Sequence, residues 1–145
     1  MGRNIELRHS KVHGTGAFAL RGLQAGTRLG SYAGRRYPPG EAAPHHQDDA
    51  LTYLFALADG SFIDGSDGGN ALRFVNHSCR PNCRAVEVTA EDGDADIVFI
   101  ACRRIRSGEE LFIDYALAIG DRDPSAYRCR CGAAQCRGTM AMGKA

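Results

Sequence analysis

The chain has 145 residues, enough for one domain with one core, and its 43% hydrophobic and 24% charged content is ordinary for a soluble globular protein. A formal net charge of +1 argues against a dedicated nucleic-acid binder, and no apolar run approaches the roughly 18 residues that span a bilayer. The opening MGRNIELRHS lacks the apolar core of an export signal, so a cytoplasmic location is the default expectation, with a nuclear one or non-classical export left open.

Short runs rich in β-branched or aromatic residues recur along the chain, at residues 5–8 (IELR), 28–34 (RLGSYAG), 51–57 (LTYLFAL), 61–64 (SFID), 84–89 (RAVEVT), 96–104 (DIVFIACRR) and 110–115 (ELFIDY). Turn signals such as QAG, PPG, ADG, SDGGN, EDGD and SGEE separate them. No long window carries a sustained 3.6-residue period, and the one helical piece suggested is a weak one at residues 39–49. A mostly β domain of several small sheets is expected. Six acidic residues fall between residues 41 and 67 (Glu41, Asp48, Asp49, Asp59, Asp64 and Asp67) with no Lys or Arg among them, whereas basic residues gather after Ile119. Such runs mark solvated faces or an acidic rim for a basic peptide. Composition shifts after Tyr115, where a connector leads into a Cys-rich tail.

That tail reads C-x-C-x4-C, with Cys129, Cys131 and Cys136 closely spaced. Without a sign of an oxidising compartment, three thiols at this density point to zinc rather than to disulfides. A structural zinc needs a fourth ligand, and the interior stretch RFVNHSCRPNC offers Cys79 and Cys83, which spacing alone leaves equal. Cys102 sits in an apolar strand pattern and is expected to be a buried thiol. A zinc joining the tail to the interior turn makes the chain's end one wall of whatever site that turn builds.

Three further stretches matter: HGTGAFA near the start, GNALRFVNHSCRPNC in the middle and GEELFIDYA before the connector. Singly each has a plainer reading. A glycine pair makes a tight turn, Asn76 and His77 close a loop, and Tyr32, Tyr53 and Tyr115 pack in strands. In this order, followed by C-x-C-x4-C, they resemble the SET-domain protein lysine methyltransferases with a post-SET zinc segment, and SYAG and YLFAL fall at matching places. The resemblance covers about residues 5–138. It implies small curved β-sheets, a C-terminal pseudoknot made by the NHSC and DY segments, and a division into residues 1–120 and a zinc-binding tail at 121–145.

The resemblance also implies the site. S-adenosylmethionine is expected at Gly14, Thr15 and Gly16, with further contacts from Tyr53, Arg73, Asn76 and His77. Tyr115 and Tyr32 match the tyrosines of the lysine channel, Tyr115 being the catalytic one. The fourth zinc ligand, after Asn-His-Ser, becomes Cys79 beside Cys129, Cys131 and Cys136. Many members carry Phe or Tyr two places before the catalytic tyrosine; here the channel position is Ile113, which has no hydroxyl to hold a water and leaves room beyond monomethyl-lysine. The implied partner is a protein or peptide with a lysine in a basic context, such as a histone tail, with no direct nucleic-acid or membrane binding. Two other readings compete: a non-catalytic binding module that keeps fold and zinc, and a small zinc-stapled nucleic-acid module. The first has no need of all three motifs, and the second lacks a basic stripe.

Overall fold

The computed structural model describes residues 4–12, 14–40, 53–115, 136 and 139. At the N-terminus β1 (Ile5–His9) and β2 (Thr15–Ala19) form an antiparallel hairpin in which Ile5 faces Ala19 and His9 faces Thr15. Small residues on β2 let another segment come close. The backbone of residues 108–111 runs along its far edge, with Leu111 N donating to Ala17 O at 2.8 Å and Ala19 N to Glu109 O at 2.9 Å.

A three-stranded sheet follows, ordered β3 (Arg28–Ser31), β9 (Ala95–Ala101), β8 (Cys83–Thr89), all antiparallel. Its alternation is half hidden because the central strand is buried on both faces: Ile97, Phe99 and Ala101 point to the core while Val98 is also covered. A second three-stranded sheet is ordered β4 (Arg35–Tyr37), β6 (Phe62–Asp64), β5 (Leu54–Ala56). Arg36 ties the two sheets together, donating to Ala95 O at 2.6 Å and pairing with Asp96 at 3.3 Å.

The last pair is the shortest. β7 (Asn76–His77) runs parallel to β10 (Phe112–Ile113), so Phe112 sits opposite Asn76 and Ile113 opposite His77. A 3-10 turn at Ala71–Phe74, capped by the Asn70 side chain, leads into β7. Phe99, Ile63, Ile105, Leu111 and Ile113 are fully enclosed and form one core beneath all four sheets.

The architecture is mostly β with several small sheets, as expected. Three strands carry no strand signal in the sequence: β2 is Thr, Gly and Ala with one Phe, β4 begins with two exposed arginines, and β7 is only Asn76 and His77. One expectation fails. Cys102 is exposed, because the strand stops at Ala101 and the chain bends there, with Cys102 N donating to Asn82 O at 2.8 Å. The helical piece at residues 39–49 lies outside the described residues except for Pro39 and Gly40, which form a turn. Among the described residues no helix is long and apolar enough to cross a membrane.

Candidate active site

The glycine turn is closed by Ser10 N donating to Gly14 O at 2.7 Å, and Gly14 takes a positive φ of 46° that other residues resist. Gly16 is needed for a different reason: a Cβ there would collide with Oε2 of Glu110. Glu110 accepts from Ser10 Oγ at 2.9 Å on each oxygen and from Asn76 Nδ2 at 3.0 Å. Asn76 Nδ2 also lies 3.4 Å from Thr15 O. Residues far apart in sequence thus share one carboxylate. Asn76 is buried, so its amide bonds are made out of water, where their loss would be costly.

The join between β7 and β10 is clipped by Asn82. Its Nδ2 donates to Glu110 O at 2.8 Å and its Oδ1 accepts Phe112 N at 2.8 Å, so one buried side chain fixes both flanks of Leu111. Beyond it, Ser78 N donates to Ile113 O at 3.0 Å. Sequence reasoning nominated neither Asn82 nor Glu110. Both act on partners 28 to 100 residues away, which no local pattern announces.

His77 is buried, and its Nδ1 accepts the backbone N–H of Tyr115 at 2.9 Å. That bond leaves the proton on Nε2, which lies 3.5 Å from Cys79 Sγ, while Asp114 Oδ1 lies 3.6 Å from Nδ1. The ring also meets that of Tyr115 edge-on, with centroids 5.3 Å apart. The imidazole therefore links the tyrosine's strand to the cysteine turn.

Tyr115 donates its hydroxyl to Val75 O at 2.7 Å, and Tyr32 donates to Tyr53 O at 2.8 Å. The same Tyr53 carbonyl accepts Gly65 N at 2.9 Å, and Gly65 has no room for a Cβ because the Tyr32 phenol lies against it. Tyr32 stacks on Phe99 at 5.6 Å and tilts against Phe55 at 4.6 Å. Burial raises the pKa of both phenols well above the ordinary value, and nearby groups add to this: Asp64 and Tyr53 at Tyr32, Tyr32 and Tyr53 at Tyr115. Both remain neutral donors at any working pH.

Arg73 is half-buried and lies over the ring of Phe74 at 4.6 Å, close enough to oppose the upward shift at Tyr32. Ile113 is enclosed in the core on the strand that leads to Tyr115. Among the cysteines, Cys79 and Cys136 are half-buried with their sulfurs 3.9 Å apart. Cys83 is sealed inside β8, where burial pushes its thiol up to about 12. Cys129 and Cys131 lie outside the described residues, and among those described no group of three or more His, Cys, Asp or Glu is arranged around a metal position.

A hydrogen-bonded cradle around a glycine turn thus adjoins neutral phenols whose hydroxyls donate to backbone carbonyls. The SET domain family model matches residues 14–116. Human histone-lysine N-methyltransferase 2B is 37% identical over 132 residues, 88% of this chain and 5% of that protein. Drosophila melanogaster histone-lysine N-methyltransferase trr is 34% identical over 94% of this chain and 6% of its own length. The H3 lysine-4 specific histone-lysine N-methyltransferase of Candida albicans is 33% identical over 94% of this chain and 14% of its length. The chain spans a small fraction of these curated relatives, corresponding to one segment of each. With the model match reaching from the glycine turn to the residue after Tyr115, this chain belongs to the SET domain family.

Proposed function

We propose that the chain transfers methyl groups from S-adenosylmethionine to the side-chain amine of a lysine in a protein substrate. One observation carries the reading: Thr15, Asn76 and Glu110 are hydrogen-bonded together, and Tyr115 hangs from the neighbouring His77 by its backbone N–H. The donor end and the acceptor end are thereby built on two adjacent residues of β7. Gly14, Thr15, Gly16, Asn76, His77, Tyr53 and Arg73 are assigned to the cofactor. The buried His77 ring is engaged by Tyr115 and Cys79, so its cofactor contact falls to its backbone.

When bound, S-adenosylmethionine supplies a methyl group on a positive sulfur, which leaves as a neutral thioether once the amine's lone pair forms the new N–C bond. The attacking lysine must first lose a proton, against an ordinary pKa of about 10.4, and an apolar aromatic channel lowers that value by disfavouring the ammonium. Tyr115 and Tyr32, held neutral, orient the amine, and most of the gain comes from alignment, worth up to about 7–11 kcal/mol in favourable cases. The proton leaves to solvent.

Zinc belongs to the same reading. Tetrahedral thiolates at about 2.3 Å from zinc stand about 3.8 Å from one another. The 3.9 Å between Cys79 and Cys136 fits that spacing, whereas enclosed Cys83 is in the wrong surroundings for a thiolate. Cys129 and Cys131 complete the set, and the tail from residue 121 onward forms a post-SET segment. The relatives' names, together with the acidic run between residues 41 and 67, support a basic, histone-like peptide as acceptor.

The test is incubation with labelled S-adenosylmethionine and histones, comparing wild type with Tyr115→Phe. Loss of one aligned hydroxyl should lower transfer by about 100-fold or more while cofactor binding stays intact. Mass spectrometry of the product should show dimethyl-lysine or higher, given Ile113. A wild type that binds the cofactor but labels no histone would favour the binding-module reading.

A further inference from the structure

Glu110 is not among the residues assigned above to the cofactor or the acceptor amine, yet it is the group on which the cradle converges. It stands half-buried just before Leu111, held in place by Asn82 through its own carbonyl at 2.8 Å. Its two carboxylate oxygens face three elements at once: the Ser10 hydroxyl on the hairpin loop, the Asn76 amide on β7, and the Cα of Gly16 on β2. Ser10 is itself locked, because its Oγ accepts Val12 N at 3.0 Å. The path Val12–Ser10–Glu110–Asn76–Thr15 is continuous at hydrogen-bond distance and encloses the glycine turn.

We propose that Glu110 is the positioning residue of the cofactor site: its carboxylate holds the glycine turn and Asn76 at a fixed separation without touching the ligand. This rests on the methyltransferase reading and sharpens it. A glycine turn is flexible by composition, and ordering it upon binding costs conformational entropy. A carboxylate accepting from both Ser10 and Asn76 supplies that order in advance. The bare Cα of Gly16 then has a second meaning: it admits the carboxylate as well as keeping the turn's backbone open.

The mechanism predicts a specific ranking of variants. Glu110→Gln preserves the shape: its amide oxygen can face Asn76, and its NH2 can donate to the Ser10 oxygen. If hydrogen bonding positions the cradle, Gln therefore rescues. If the negative charge simply attracts a cationic cofactor, Gln fails as badly as Ala. Glu110→Ala takes away the shorter of the two hydrogen bonds described for the buried Asn76 amide, at 3.0 Å against 3.4 Å to Thr15 O, and Ser10→Ala removes the far arm while keeping the carboxylate.

The experiment uses the full chain loaded with zinc and titrates S-adenosylmethionine and S-adenosylhomocysteine calorimetrically, alongside KM and kcat for a histone peptide. Glu110→Ala should weaken binding of both by about tenfold or more, with Ser10→Ala a few-fold and Glu110→Gln within about threefold of wild type. The change should fall on KM for S-adenosylmethionine and leave kcat at saturation nearly unaltered. Ser10→Ala keeps the test usable if Glu110→Ala does not fold. Equal affinities in wild type, Ser10→Ala and Glu110→Ala would overturn the proposal, as would a Gln variant as weak as the Ala variant. Failure of the methyltransferase reading looks different: the wild type itself would bind neither ligand.

Discussion

The two ends of the site are held together by different physics. At the glycine-turn end the residues are small or polar, and Ser10, Asn76, Asn82 and Glu110 fix one another by directional bonds of about the usual length. At the tyrosine end Tyr32, Phe55 and Phe99 form a packed aromatic cluster, and the phenols donate only to backbone carbonyls. The polar end specifies register, because each of its bonds has one correct partner. The aromatic end specifies environment, because burial keeps its hydroxyls protonated. Damage to the first should displace parts; damage to the second should change how they titrate.

The largest effect should come from the proposed zinc, which would tie Cys136 and the other tail cysteines to Cys79, two residues after His77. Structural zinc contributes folding energy on the order of 10 kcal/mol in small metal-dependent folds. Cys79→Ser should therefore lose zinc by elemental analysis and lose transfer, and a strong chelator should do the same to wild type. Cys83→Ala should keep its zinc and lose only core packing, about 1–2 kcal/mol in chemical denaturation. Zinc loss from the Cys83 variant with retention in the Cys79 variant would reverse the assignment.

Next comes Asn82→Ala. It strands the carbonyl of Glu110 and the N–H of Phe112, the two backbone groups that flank fully buried Leu111, at a combined cost of about 3 kcal/mol. The melting temperature should fall by about 10 °C. Because Glu110 is displaced with it, cofactor affinity should drop too, although the Asn82 side chain bonds to Glu110 and Phe112 rather than to a nominated cofactor residue. A variant that melts early but binds S-adenosylmethionine normally would separate the clip from the cradle.

The same contrast explains what could be read from residues alone. Strands such as β8 and β9 announce themselves through Val and Ile, and the runs at 84–89 and 96–104 were placed to within a few residues. β2 does not, since TGAFA reads as a turn until its neighbour, the 108–111 backbone, is known. Tyr32 and Tyr115 stand out as aromatic residues in a recognisable motif. Glu110 and Asn82 look like ordinary polar residues in GEEL and RPNC, because their meaning resides in partners that only the fold supplies. The expected burial of Cys102 failed for a local reason: an apolar pattern shows where a strand runs but not which residue turns out of it.

The smallest effect tests the aromatic end by pH. Tyr32 has its folded pKa raised from an ordinary 10.0, chiefly by burial. A raised folded value means that its stabilising contribution is complete below pH 10 and is lost as pH climbs past that point, where the unfolded chain ionises and the folded one does not. Tyr32→Phe should lose the bond to Tyr53 O and be less stable than wild type by about 1 kcal/mol near neutrality. Phenylalanine cannot ionise in the unfolded state, so it escapes the alkaline penalty of about 1.4 kcal/mol that one tyrosine brings by pH 11. The two denaturation curves should therefore converge between pH 10 and about 11 and meet there, with the polar-end bonds common to both cancelling in the difference. A gap that stays constant across that window would mean the Tyr32 phenol ionises in place, and the acceptor end would then be wetter than its packing against Phe55 and Phe99 implies.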